Sequence, residues 1–275
     1  MNIKIVSDSA SDIITLDGVS YASAPLKIIT AEKEYIDVPE LDVFNMVTTL
    51  KQYKGRSSTS CPNSADWLAA FGDADAVFCV TITGTLSGSY NSAMLAKQEY
   101  EHDGRRVFVL DSLSAGPEIG LIIIKLCELV RSGMDFDSIC TAITEYKNKT
   151  GLLFILESLQ NFANNGRVKP AVAKMAGLFG IRIVGKASDK GDLEPLNKCR
   201  GETKSIAAVI GHLRDAGLSS GKVRIGHCFN AVTAAVLEKE IKKAFPNCSI
   251  DIYELRGLCS FYAEIGGILI GFEKY

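Results

Sequence analysis

The chain has 275 residues, which is enough for two modest domains or one large domain with a substantial core. Hydrophobic residues make up 47% and charged residues 23% of the chain, a globular composition that argues against disorder. The formal net charge is −2, from 30 basic and 32 acidic residues, and this balance gives no support to nucleic-acid binding.

The first half of the chain alternates strands and helices. Strands are predicted at residues 3–6, 26–29, 33–37, 76–81 and 106–110. Helices are predicted at residues 42–53, with Asp42 as N-cap, and at 64–71, 88–102 and 116–131. This rhythm is typical of an α/β fold with a mostly parallel, helix-covered sheet, whose ligands bind at the carboxyl ends of the strands.

The pattern changes at about residue 151. Strands are predicted at residues 151–155, 181–188, 193–199, 223–227, 250–254 and 267–272, and helices at 157–164, 203–215 and 233–245. The turn between 181–188 and 193–199 indicates a hairpin. No linker composition separates the halves, so we expect two domains, 1–155 and 156–275, with a tight interface.

The chain shows no membrane segment and no pattern typical of a metal site. The apolar runs 119–124 and 266–272 are too short to cross a bilayer, and the N-terminus lacks a secretory signal pattern. The eight cysteines contain no C-x-x-C pair, and the three histidines are scattered. We therefore expect free thiols, no cofactor, no metal and a soluble cytoplasmic protein.

Two hydroxyl-rich turns precede predicted helices, at residues 56–62 (RSSTSCP) and 81–90 (TITGTLSGSY). Hydroxyls and free backbone N–H groups at a helix N-terminus attract an anion. Further polar turns follow the strands that end at Val6 and Leu110. We expect a group with a carboxylate or phosphate to be held between these turns.

The catalytic motifs that this chain approaches are incomplete. Residues 180–186 match G-x-x-x-x-G-K, but Ala187 follows the lysine where a P-loop has Ser or Thr. Ser87 lacks the G-x-S-x-G spacing, and its only plausible base, His227, has no identified acidic partner. Asp8 follows the first strand, as a phosphatase nucleophile would, but without D-x-D. These features favour a binding protein; a small-ester or phosphate hydrolase using Ser87 or Asp8 is the alternative.

Six segments in order point to a family: 3–9 (IKIVSDS), 58–62 (STSCP), 86–93 (LSGSYNSA), 109–112 (VLDS), 165–168 (NGRV) and 179–184 (FGIRIV). They resemble segments of the DegV family of bacterial fatty-acid-binding proteins, which includes the binding subunits of fatty acid kinase. The second is similar to the family's T-S-x-P turn and the third to its L-S-G-T-Y-x-S-A segment. The match runs nearly end to end.

The resemblance implies a two-domain DegV-like α/β fold with one long-chain fatty acid in a tunnel between the domains. The acyl carboxylate would contact Thr59, Ser87 and Gly88, with Ser9 and Ser112 nearby. A separate ATP-dependent kinase subunit would phosphorylate that carboxylate to an acyl phosphate. The chain itself would then have no catalytic cycle.

The resemblance also places Arg167 and Arg200 in the neighbourhood that faces the kinase subunit, and a solvated surface arginine is the alternative for both. The family's H-T-G-P-G stretch is replaced here by residues 262–266 (YAEIG), so Tyr262 occupies the histidine position. A phenol can still donate a hydrogen bond to a carboxylate but stays neutral near pH 7. Glu264 adds a negative charge nearby. We expect Tyr262 to contact the ligand; service to a kinase and a role as a ligand sensor both stay open.

Overall fold

The computed structural model describes residues 2–102, 104–173 and 180–274, so Phe179 of the last matching segment lies outside the described residues. The first half consists of β1 (Ile3–Asp8), β2 (Ser20–Ala24), β3 (Lys27–Ile29), β4 (Glu34–Ile36), α1 (Val43–Gln52), β5 (Ser58–Ser60), α2 (Ser64–Phe71), β6 (Ala76–Thr81), α3 (Ser89–Glu101), β7 (Arg106–Asp111), α4 (Pro117–Arg131) and α5 (Phe136–Lys147).

The second half consists of β8 (Thr150–Leu156), α6 (Gln160–Asn164), α7 (Pro170–Ala173), β9 (Ile181–Ala187), β10 (Leu193–Arg200), α8 (Glu202–Asp215), β11 (Ser220–His227), α9 (Ala231–Ala244), β12 (Asn247–Glu254), α10 (Gly257–Ala263) and β13 (Ile268–Glu273). The segment 180–186 therefore contributes to strand β9 and forms no P-loop. The predicted helix at 157–164 begins later, because the Ser158 hydroxyl accepts a hydrogen bond from the Gln160 N–H at the helix start.

The first sheet has the order β2-β1-β6-β7, and all its pairs are parallel, as the alternating pattern predicts. Side chains alternate between its two faces because successive residues of a strand point to opposite sides. Val77 and Cys79 pack with Trp67 of α2 on one face. Phe78 and Val80 pack on the other face, in the core that contains α4. Helices therefore cover both faces.

The second sheet has the order β10-β9-β8-β13-β11-β12, in which β11 and β12 form a parallel pair and the other neighbours are antiparallel. The outer face of this sheet packs on α8 and α9 through Val209, Leu213, Leu237 and Ile241. A small antiparallel sheet, β4-β3-β5, is formed by the first half of the chain. In it, Thr59 of β5 pairs with Ile28 of β3.

Helix α4 packs between the two large sheets and contacts β1 and β6 as well as β8, β11 and β13. Its residues Ile119, Leu121, Ile122, Ile123 and Leu126 are all fully or nearly fully buried. The charged residues of its last two turns, Lys125, Glu128 and Arg131, are half-buried or exposed, so the central part of the helix is the part enclosed by the sheets. The expected domains 1–155 and 156–275 would divide β8, which pairs with β9 and β13. We therefore propose that the second domain begins at β8.

Three features predicted from the sequence can be compared with the structure. The Asp42 carboxylate accepts the Asn45 N–H at 2.9 Å, which makes it the N-cap of α1. All eight cysteines are free. Among the described residues, no helix combines the length and the apolar character that crossing a bilayer requires.

Candidate ligand-binding site

A cavity of about 280 Å³ lies where the carboxyl edge of the parallel sheet meets the face of the six-stranded sheet. Strand β8 shows how this wall arises: alternate residues Leu152, Phe154 and Leu156 line the cavity. Leu153 and Ile155 point to the opposite face, where they pack in the α8 and α9 core. Apolar side chains also come from Leu26, Ile82, Leu86, Ala115, Phe162, Ala187, Leu193, Leu258, Ala263 and Leu269. The cavity is therefore apolar along most of its length.

The Thr59 and Tyr262 hydroxyls form one part of the cavity's polar end, with 2.8 Å between their oxygens. The Tyr262 ring stacks on Phe162, with 4.6 Å between ring centroids, and meets Phe261 edge-on. Burial raises the pKa of the Tyr262 phenol above its ordinary value, so the hydroxyl stays protonated and neutral. The pair therefore offers neutral hydrogen bonds to a ligand.

The loop between β6 and α3 forms the other part of the polar end and brings Ser87 and Gly88 into the cavity wall. The Ser87 N–H donates to the Thr83 carbonyl at 3.2 Å, and the Ser87 hydroxyl accepts from the Ser89 N–H at 3.2 Å. No described residue accepts a hydrogen bond from the Gly88 N–H, which precedes the first turn of α3. This N–H is therefore available to an anion.

Two carboxylates hold this loop in place, the buried Asp8 and the half-buried Asp111. Asp8 accepts hydrogen bonds from the Ile82 N–H at 2.8 Å and the Ser89 hydroxyl at 2.6 Å. Asp111 accepts from the N–H groups of Gly84 and Leu113, which joins the loop after β6 to the loop after β7. Burial raises the pKa of Asp8 to about 7. Asp8, the alternative nucleophile, is completely buried and therefore supports the loop instead.

Arg167 lies beside the cavity, although the resemblance placed it facing a kinase subunit. Its Nε donates to the Leu86 carbonyl at 3.1 Å and its Nη1 to the Asn165 carbonyl at 2.6 Å. Arg200, at the end of β10, is exposed and does not line the cavity. The two arginines are thus in different surroundings.

Two predicted ligand contacts, Ser9 and Ser112, do not line the cavity. The buried Ser9 hydroxyl accepts from the Leu26 N–H at 3.0 Å, and the Ser112 hydroxyl bonds within its own turn to Ser114. Ser114, which sequence reasoning missed, lines the cavity instead. Both serines belong to the polar turn after β7, and Leu113 between them has a φ of +55°.

Glu264 also differs from the expectation of a negative charge near the ligand. Its carboxylate accepts from the Ser158 hydroxyl at 2.8 Å and faces a second, separate cavity next to Lys51. Burial raises the pKa of Glu264. It therefore adds no charge to the wall of the cavity that Tyr262 lines.

Among the described residues, the cavity contains neither a histidine base for Ser87 nor a group of metal ligands. No histidine lines the cavity around Ser87, and His227 instead accepts a hydrogen bond from the Asn230 N–H through its Nδ1. No group of three or more His, Cys, Asp or Glu side chains in residues 2–102, 104–173 and 180–274 could hold a metal ion.

A mostly apolar cavity with a polar end is typical of a binding site for an amphipathic molecule. The family model described as "Uncharacterised protein, DegV family" matches residues 2–274. The chain belongs to the DegV family. A DegV domain-containing protein of Streptococcus pneumoniae is 41% identical over 279 residues, which cover 99% of each chain.

Solved structures of this family superimpose closely on the chain. A DegV family protein from Eubacterium eligens, loaded with heptadecanoic acid, has a TM-score of 0.97 and 42% identity and covers 99% of this chain and 100% of its own. The Fatty Acid Kinase (Fak) B3 protein of Streptococcus pneumoniae, loaded with linoleic acid, has a TM-score of 0.98 and 41% identity, with both chains covered completely. These similarities confirm the predicted DegV-like α/β fold.

Proposed function

We propose that the protein binds one long-chain fatty acid, with the acyl chain in the cavity and the carboxylate at its polar end. The observation that carries this proposal is the contrast between a long apolar wall and one end lined by Thr59, Ser87, Gly88 and Tyr262. The relatives solved with heptadecanoic and linoleic acid support the same ligand class.

The apolar chain supplies most of the binding free energy in this proposal. Burying a CH₂ group is worth roughly 0.8 kcal/mol, so a chain of ~16 carbons contributes on the order of 12 kcal/mol before association costs. Those costs amount to several kcal/mol or more, on the order of 4–15 kcal/mol. The polar end contributes less and fixes the direction in which the ligand lies.

The direct test is mass spectrometry of an organic extract from the purified protein, which we expect to contain fatty acid in about one copy per chain. Ser87→Ala should weaken binding modestly, by about three- to tenfold, because one neutral hydrogen bond contributes about 0.5–1.5 kcal/mol. Thr144→Ala, a change at an exposed hydroxyl on α5, is the matched control and should leave the affinity unchanged.

Other outcomes of these experiments contradict the proposal. An extract without lipid, together with no binding of added fatty acid, would overturn it. Complete loss of binding in a well-folded Ser87→Ala protein would contradict the dominance of the apolar chain. Covalent labelling of Ser87 by a fluorophosphonate, with turnover of a small ester, would favour the hydrolase alternative.

The loaded protein is further proposed to act without a catalytic cycle of its own, as the subunit that presents the carboxylate to a separate kinase. The exposed Gly88 at the polar end and the name of the Fak B3 relative support this role. Incubation with a purified fatty acid kinase subunit and ATP should yield acyl phosphate. Arg200→Ala should reduce that yield without changing lipid affinity, since Arg200 is exposed and outside the cavity wall.

We also propose a cytoplasmic location. Eight free cysteines, most of them buried, suit a reducing compartment, where thiols persist without forming disulfides. Cell fractionation tests this, and recovery of the protein from the culture medium or with the membranes would contradict it.

A further inference from the structure

Glu264, which follows α10, has a backbone conformation that glycine usually occupies. Its φ is +56° and its ψ is 167°. This lies at the edge of the region, from φ of about +60° with ψ beyond about 150°, that is used essentially by glycine. Asp12, with φ of +57° and ψ of 10°, lies instead in the left-handed helical region, which aspartate adopts more readily. The fold therefore holds Glu264 in a conformation that costs free energy.

The Glu264 side chain joins α10 to the start of α6. Its Oε1 accepts a hydrogen bond from the Ser158 hydroxyl at 2.8 Å, and that hydroxyl accepts from the Gln160 N–H, the first N–H of α6, at 3.1 Å. The Asn161 N–H donates to the same Oε1 at 3.5 Å, and the Asn161 side-chain amide donates to the Phe261 carbonyl at 2.7 Å. The strained residue therefore places its carboxylate where it ties the two short helices together.

These two helices carry the aromatic pair at the polar end of the ligand cavity. Phe162 of α6 stacks on Tyr262 of α10, with 4.6 Å between ring centroids. The Tyr262 hydroxyl lies 2.8 Å from that of Thr59. Glu264 does not itself line this cavity, so it acts on a ligand there only through the two helices.

We propose that Glu264 is a positioning residue: it holds α6 against α10, so that Phe162 keeps the Tyr262 hydroxyl at the polar end of the cavity. This inference rests on the proposed function, in which Tyr262 contacts the fatty carboxylate. Strained residues concentrate at ligand-binding sites, where a fixed geometry serves binding. A hydroxyl that is already fixed binds the ligand more tightly, because less ordering is needed on binding, and releases it more slowly.

The test uses delipidated wild type, Glu264→Gly and Glu264→Gln, with oleic acid delivered from cyclodextrin. The dissociation constant, the rate of transfer to acceptor vesicles and the unfolding temperature without lipid are measured. Glu264→Gly should bind oleic acid about three- to tenfold more weakly and release it faster. Its unfolding temperature should stay the same or rise, because relief of the backbone strain offsets the lost hydrogen bonds. Glu264→Gln keeps an oxygen that accepts from Ser158 and should retain the affinity within about twofold.

Ser158→Ala breaks the same link from its other side and leaves the backbone after α10 unchanged. It should weaken oleic acid binding as Glu264→Gly does, and the combined variant should be no weaker than either alone, because both changes remove one interaction. Glu157→Gln is the matched control. This neighbouring carboxylate is exposed, accepts from Arg182 at 3.0 Å and does not line the cavity, so the variant should bind like the wild type.

Several results would overturn the inference. Weaker binding of Glu264→Gly together with a lower unfolding temperature would make the role of Glu264 merely structural. Unchanged affinity in Glu264→Gly, or Glu264→Gln as weak as Glu264→Gly, would contradict positioning through the bond to Ser158. Additive losses in the combined variant would do the same. If the wild type binds no oleic acid, the proposed function itself fails, whereas failure of this inference leaves wild-type binding intact.

Discussion

The hydroxyl oxygens of Thr59 and Tyr262 lie 2.8 Å apart, although 203 positions separate the two residues in the sequence. Thr59 is held by the small antiparallel sheet and Tyr262 by α10. Their hydrogen bond joins the first half of the chain to the second at the polar end of the cavity. This one contact therefore bears on ligand binding and on the association of the two halves.

Tyr262→Phe removes the hydroxyl and keeps the ring that stacks on Phe162. We expect fatty acid affinity to fall about three- to tenfold and the free energy of unfolding to fall by about 1 kcal/mol, the usual net value of one hydrogen bond. Calorimetric titration and urea unfolding measure these changes. Tyr90→Phe, a phenol outside the cavity lining, is the control and should change neither value. Unaltered affinity in Tyr262→Phe would remove the phenol from the binding site.

Gly191→Ala tests the turn between β9 and β10, which closes one side of the cavity. A Cβ at this position would collide with the Thr83 hydroxyl and lie 3.1 Å from the Leu113 Cα, and φ is +81°. We expect a loss of stability above the ~1–2 kcal/mol that a left-handed backbone costs an L-residue, and faster release of lipid to acceptor vesicles.

Gly133→Ala is the matched control for this clash. Gly133 has φ of +74°, and no described atom lies within 4 Å of the Cβ it would gain. It should show the backbone penalty and keep the wild-type rate of lipid release. Identical behaviour of the two variants would mean that the turn does not form part of the cavity wall in solution.

Asp8→Asn tests the buried carboxylates beneath the polar end. Burial raises the pKa of Asp8 and of Asp12 to about 7 in the folded protein, whereas an unfolded aspartate titrates near about 3.9. The folded state therefore holds protons that the unfolded state has already released. The free energy of unfolding should fall as the pH rises from about 4 to about 7.

The substitution should flatten this decline, because asparagine cannot ionise and its oxygen can still accept from the Ile82 N–H. Urea unfolding at a series of pH values between 4 and 8 measures the slope. Asp73→Asn, at an exposed position, is the comparison and should retain the wild-type slope. A slope in Asp8→Asn as steep as in the wild type would show that Asp8 is already ionised at low pH.

Removal of the lipid should destabilise the protein, because a ligand that binds only the folded state adds to its stability. At a free ligand concentration about 100 times the dissociation constant, this contribution is about 2.7 kcal/mol. Delipidated protein should unfold at a lower temperature, and oleic acid should restore the original midpoint. Octanoic acid at the same concentration is the control and should restore little, since fewer CH₂ groups are buried. If complete delipidation leaves the unfolding temperature unchanged, the result would argue against ligand binding in the cavity.

The parallel sheet could be predicted because its signals are local. Strand runs alternate with amphipathic helices, and caps such as Asp42 mark where a helix begins. Helix α10 was missed because nearly all of its residues are buried, so its sequence has no polar face to give a helical period. Strand β2, with the sequence SYASA, was missed because it contains no alternation of large apolar residues.

The position of the candidate site could be predicted from the sequence, but not the full set of residues that line it. Polar turns after parallel strands were expected to meet at one sheet edge, and Thr59 and Ser87 do line one cavity. Which residue of a turn lines the cavity is set by backbone angles and long-range packing. The sequence therefore predicted Ser112, whereas Ser114 lines the cavity. Tyr262 was identified through the family resemblance, since nothing near it in sequence indicates its contact with Thr59.

Helix α4 bears on how the protein can be cut or recombined. Both large sheets pack on this helix. A fragment that ends after the helix would therefore expose one of its apolar faces. A fragment that begins after it would expose the inner face of the second sheet. Neither piece is expected to remain monomeric. Transfer of the ligand pocket to another scaffold would therefore require the whole polypeptide, because α4 belongs to the cores of both halves.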